Sequence, residues 1–130
     1  MNKYETGASA PARAYPDLHD HLRLLEKAGL VLKIDLPINK DTEMHPLMRW
    51  QFCGGLEEND RKAMLFTNVV DAKGRRYDMP VAVGALASSA QIYAVGMGKP
   101  VEEIGATWMR AIANPVAPVT MEKGAKAPKV

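Results

Sequence analysis

The sequence predicts a mixed α/β domain: a small mixed β-sheet covered by about four helices, with an extended C-terminal tail. Three observations predict it. The chain has 130 residues, 47% hydrophobic and 25% charged, the proportions of one globular domain that buries roughly two thirds of its extended surface. Apolar residues recur at helical spacing in four stretches and alternate or run continuously in three others. These follow in the order helix, strand, helix, strand, strand, helix, helix, the order of helices laid on a small sheet.

The first helix starts at Asp17, a capping residue, with Asp20 in its first turn and Gly29 as its stop. Leu18, Leu22, Leu25 and Ala28 form its apolar stripe. Leu30 to Asp35 alternates, with Leu30, Leu32 and Ile34 on one face, and reads as a half-buried strand ended by Pro37. Thr42 is placed to cap a second helix, in which Pro46 falls early enough to be tolerated. Met44, Leu47, Met48 and Phe52 form its stripe, and Gly54-Gly55 end it. Leu56 to Lys62 is a charged loop, and Ala63 to Phe66 a short strand. Asp71 to Gly74 has turn chemistry, and Met79 to Val83 is a further strand beginning around Pro80. Ser88 or Ser89 caps a third helix through Ala90, Ile92, Tyr93 and Val95, closing at Gly96 and Gly98. Pro100 opens a fourth at its first helical position, with Val101, Ile104, Trp108 and Ile112 as its stripe and Asn114-Pro115 as its stop. Three regions result: a polar leader over 1–15, the α/β domain over 16–114, and an extended segment over 115–130.

Composition excludes several function classes. Seventeen Lys and Arg against fifteen Asp and Glu leave +2, too near neutral for a nucleic-acid footprint. No apolar run approaches the roughly 20 residues of a membrane helix. A single cysteine, Cys53, excludes a disulfide scaffold and fits a reducing, cytoplasmic compartment. With no adjacent basic group to favour a thiolate, Arg49 one turn back being the nearest, that thiol reads as buried or half-buried and structural. His19 and His21 are two apart on a helix and face different ways, so with His45 they read as ordinary surface histidines rather than zinc ligands. Gly96-Met97-Gly98-Lys99-Pro100 has the wrong spacing for a phosphate loop and reads as a corner between two helices. Lys73-Gly74-Arg75-Arg76 reads as a solvated hairpin tip, Ser88-Ser89 as a simple cap, and Met44, Met48, Met64 and Met79 as core filler. No pair of carboxylates stands out as an acid and a base. Residue patterns alone thus give a globular domain with no catalytic, cofactor-binding or metal-binding residue assigned.

Several segments, taken in order, resemble one family. Asp17-Leu18 through Leu25-Glu26-Lys27-Ala28-Gly29, followed by Leu32-Lys33-Ile34, is similar to the opening of the UbiD-type decarboxylases. Leu65-Phe66-Thr67-Asn68-Val69 resembles a strand of that family, and Pro80 through Ser89 resembles the strand and turn that follow it. Tyr93 to Gly98 is similar to the end of the next helix, and Pro115 to Val119 with Ala125 to Pro128 resemble its crossover into a flavin domain. The resemblance implies the N-terminal domain of a carboxy-lyase acting on aromatic or α,β-unsaturated acids with prenylated FMN and a divalent metal, Mn or Mg. It implies as partners the flavin and C-terminal domains of the same enzyme, or a larger catalytic subunit, and a homo-oligomer of the complete enzyme. The family's Glu-Arg-Glu catalytic set and its flavin and metal ligands match no residue here, so none is carried over. The expected role of this part is structural, and the alternative is a stand-alone small subunit or scaffold domain.

Overall fold

A computed structural model describes residues 17–118; the leader expected over 1–15 and most of the extended segment expected over 115–130 lie outside the described residues. The first helix, α1, spans Leu18–Lys27. Its start is held by two carboxylates acting reciprocally: Asp17 accepts from the Asp20 N–H at 2.9 Å, and Asp20 from the Asp17 N–H at 3.0 Å. Two amides that a helix start would otherwise leave unpaired are thereby satisfied. Leu25 is fully buried and Leu22 half-buried, while Leu18 and Ala28 at the ends of the stripe are exposed.

Six strands follow, interleaved with three more helices: β1 (Val31–Ile34), β2 (Ile38–Asn39), α2 (Met44–Cys53), β3 (Ala63–Phe66), β4 (Val69–Val70), β5 (Arg76–Tyr77), β6 (Val81–Val83), α3 (Ala90–Met97) and α4 (Ile104–Ala113). They form two three-stranded mixed ladders, β1-β3-β6 and β2-β4-β5. In both, the segment from β3–β4 is central, paired in parallel with the segment before α2 and antiparallel with the segment after β4. The ladders are therefore one three-segment ribbon with a single interruption. At that level Thr67-Asn68 of the centre face three residues on each side, Asp35-Leu36-Pro37 and Asp78-Met79-Pro80. Each flank carries one extra residue and a proline, which has no N–H to give the ladder. Strands β2, β4 and β5 are two residues each and sit beyond this break, which is why alternation over longer windows does not find them.

Alternation along β3 divides the core. Met64 and Phe66 point to the face covered by α2, where they meet Ile38, Met44, Met48 and Val69. Ala63 points to the other face, with Leu25 of α1, Ile92 of α3 and Ala85. Leu32 was expected to be buried beside Ile34. It lies on the edge strand β1 and remains 47% exposed, because α2 covers the centre of the ribbon rather than its edge.

Other expectations need correction. Thr42 does not cap α2: the preceding turn leads through Glu43, which makes no side-chain cap bond and instead accepts from the Asn39 N–H at 2.7 Å. Leu47 and Phe52 of the expected α2 stripe are exposed, and Gln51 is buried in their place. The last strand begins at Val81 rather than Met79, and Met79 is 73% exposed on the proline flank instead of filling the core. Pro100 precedes a 3-10 turn, Val101–Glu103, from which α4 then grows. Of the expected α4 stripe, Val101, Trp108 and Ile112 are exposed and Ile104 is half-buried; Met109, outside that stripe, is exposed as well.

Candidate functional site

The turn from β6 into α3 is tied to α1, α2 and the α2–β3 loop. Gly84 adopts φ +71, and an added Cβ there would fall inside contact distance of Ser88 Oγ and Met48 Cε. Ser88, 2% exposed, folds back to donate from Oγ to the Gly84 carbonyl at 2.8 Å. Ser89 is the helix cap, its Oγ accepting from the Ile92 N–H at 3.3 Å. The Ala90 N–H, one residue in, donates to Glu58 Oε1 at 2.9 Å. A carboxylate from the α2–β3 loop thus sits at the positive end of α3, where an anion is favoured. His21 Nε2 lies 2.6 Å from the Ala85 carbonyl, half-buried against Gly96. His21 is therefore a strut between α1 and this joint rather than the surface histidine its sequence suggested. The signal that could have found it was its place on the Leu18–Leu25 face.

A second feature is an apolar groove of about 420 Å³ beside α2, where that helix meets β6. Met44, Met48 and Val83 form its floor and Phe52 one wall, while Lys40, His45 and Arg49 stand around it. His45 and Arg49 are four apart and share one face of the helix. Lys40 Nζ is 2.6 Å from Asp41 Oδ1 and 5.6 Å from the Tyr77 ring centre. The Asp41 hydrogen bond holds the Lys40 ammonium above its ordinary pKa, and the same bond, with the Ala72 N–H, holds Asp41 below the usual carboxylate value. Behind Phe52, the Arg61 guanidinium lies 5.2 Å over its ring. Gln51, on the same buried face of α2 as Met44 and Met48, clamps the backbone just before β3: its Nε2 donates to the Lys62 carbonyl at 2.9 Å and its Oε1 accepts from the Lys62 N–H at 2.8 Å.

The remaining sequence candidates resolve simply. Cys53 is exposed at the end of α2, contrary to the buried or half-buried thiol expected. Lys73 to Arg76 do form a hairpin tip, organised by Asp71, whose Oδ1 accepts from the Lys73 and Arg75 N–H groups, both at 2.9 Å, and whose Oδ2 accepts from Tyr77 Oη–H at 3.0 Å. Those bonds, the Arg75 N–H first, keep the Asp71 carboxyl below its ordinary pKa. The Gly96 to Pro100 segment is the corner between two helices, with Gly98 in the left-handed conformation at the end of α3. Among the described residues no three His, Cys, Asp or Glu side chains gather in a way that could hold a metal ion, and no helix is long and apolar enough to cross a membrane.

Residues 22–112 match the family model described as the 3-octaprenyl-4-hydroxybenzoate carboxy-lyase N-terminal domain. The chain belongs to this UbiD N-terminal family. The match runs from within α1 to within α4 and so takes in every strand. Two of the segments that resemble the UbiD family fall on places where geometry leaves little choice of residue. Leu65 to Val69 is the central segment across the interruption, and Pro80 to Ser89 is β6 with the Gly84–Ser88 turn and the Ser89 cap. For this UbiD N-terminal domain the strongest sequence signals are thus architectural, and family membership implies further domains of a carboxy-lyase beside it.

Proposed function

We propose that this domain is the structural N-terminal part of a carboxy-lyase that adds or removes CO₂ on aromatic or α,β-unsaturated acids, with prenylated FMN and a divalent metal held elsewhere in the enzyme. The observation that carries the reading is the family match over residues 22–112. Two features support a framing role. Among the described residues no three His, Cys, Asp or Glu side chains gather as metal ligands, and the first amides of α3 are engaged by Ser89 and Glu58. The exposed face of α4, with Trp108, Met109 and Ile112, is of the kind that a neighbouring domain covers. It is the last helix described, so a following domain would lie next to it in the chain. Prenylated FMN, when bound, would supply the electron sink for carbon–carbon bond cleavage; this domain would hold the surrounding parts in register.

The test is the denatured mass of the polypeptide in its native source, with CO₂ release from an aromatic acid assayed on that polypeptide and on the 130-residue chain. The reading expects a mass several times 14.2 kDa, activity in the long form and none in the short. CO₂ release by the short chain unaided would overturn the division of labour. A mass near 14.2 kDa, with no larger catalytic subunit co-purifying, would favour a scaffold domain instead.

A further inference from the structure

The α2 groove has no part in that reading, and its chemistry points to a ligand. We propose that it binds a small amphipathic carboxylate, an apolar ring or chain carrying one anionic head. The floor is apolar and adaptable, since Met44 and Met48 offer polarisable thioethers that repack around different shapes. Its lining contains three basic residues and no carboxylate. Lys40 is already paired with Asp41, so the anion's partners are Arg49 and His45. Among the described residues, Arg49 has neither a carboxylate within salt-bridge distance nor a hydrogen-bond partner.

The wall adds to the same potential. Arg61, stacked on Phe52, has a buried Nε with no hydrogen-bond partner and, among the described residues, no carboxylate within salt-bridge distance. A free guanidinium at the rim of an apolar groove favours one negative charge beside an apolar body, and Arg49 is suited to a two-pronged contact with a carboxylate. Size selects a small molecule over a protein segment. A groove of about 420 Å³ lies within the range of small-ligand sites, whereas a docked helix about 10 Å across needs a longer trench.

The test is an amide NMR titration of the 130-residue chain with decanoate, decanol and decyltrimethylammonium. Decanoate is expected to move the signals of Met44 to Phe52 and Val83, decanol to bind at least about fivefold more weakly, and the cation not at all. Arg49→Gln should weaken decanoate about five- to tenfold and leave decanol unchanged, while Arg49→Lys keeps part of the affinity. Arg49 is exposed, so the fold is expected to survive, and an unchanged thermal midpoint verifies it. His45→Gln provides a second probe of the same rim. Equal binding of decanol and decanoate, indifference to Arg49→Gln, or shifts outside the groove would overturn the proposal. So would a silent decanoate titration with groove shifts produced only by an acidic amphipathic peptide, which would assign the surface to a protein partner.

Discussion

Gln51 is a helical residue that completes a strand. Its amide donates to and accepts from Lys62 as a neighbouring backbone would, one residue before β3 begins. Gln51→Leu, close in volume, leaves both Lys62 groups without that partner and should lower stability by about 1–3 kcal/mol in urea unfolding of this chain. Nothing in the sequence distinguishes it from a solvated glutamine, because its partners are backbone atoms that any residue at 62 would supply. Gly84 is the opposite case, since its place between a strand and a Ser-Ser cap marks a turn. Gly84→Ala meets both a left-handed backbone and the Ser88 and Met48 side chains. It should cost about 2 kcal/mol or more, against about 1 kcal/mol for Gly29→Ala, where φ is +70 and no atom lies within 4 Å. Equal midpoints for the two variants would show that the crowding at Gly84 relaxes without cost. Cys53 and Met79 were misread for one reason: hydrophobic neighbours in sequence say nothing of a residue at an element's end, where the backbone turns away from the core.

Helices were legible as elements because caps and stripes are local. Asp17, Ser89 and the glycine at 98 stand where the physics of helix ends requires them. The short strands were not, since two-residue pairings carry no period. Backbone pairing joins β4 to β5, and the side chain of Asp71 braces the turn between them through its bonds to Lys73, Arg75 and Tyr77. Its carboxyl is depressed in the folded chain, so in the window below its unfolded value the unfolded state binds more protons. The hairpin's contribution is therefore complete above the ordinary carboxylate range and is lost as pH falls through the folded value, below about pH 4. Thermal unfolding followed from about pH 6 to about pH 2.5 should show this fall. Asp71→Asn, which cannot accept as an anion, should lower the midpoint at neutral pH and flatten the acid limb. An acid limb identical in the variant would assign the pH dependence to other carboxylates, with Asp41 next in line because it too is depressed.

At the scale of the whole molecule, the order of the seven principal elements and the mixed sheet were legible from alternation between two periods. The side on which each element packs was less so. The stripe of α4 has the period of a buried helix yet contributes nothing to the two core clusters. Its contact with the rest includes the Trp108 indole N–H donating to Tyr93 Oη at 2.8 Å. A helical stripe tells that a face is to be covered, not by what. Met109→Ser and Ile112→Ser should accordingly change the stability of this chain by no more than about 0.5 kcal/mol, whereas Ile92→Ala in the core should cost about 2–5 kcal/mol. Denaturant unfolding of the three variants measures the contrast. A large loss at Ile112 would mean that α4 is bound into the isolated domain more firmly than its exposure indicates.

The proline-flanked break in the ribbon divides the molecule in a further sense. Pro37 and Pro80 remove one amide from each outer segment at the same level, and Leu36 and Met79 beside them are 76% and 73% exposed. Opening that starts in the two-residue pairings of β2, β4 and β5 has no continuous ladder through which to spread. In deuterium oxide the amides of Met64 and Phe66 should then retain their protons long after those of Val70 and Tyr77 have exchanged, so that the ribbon is worn from one end while the other keeps its label.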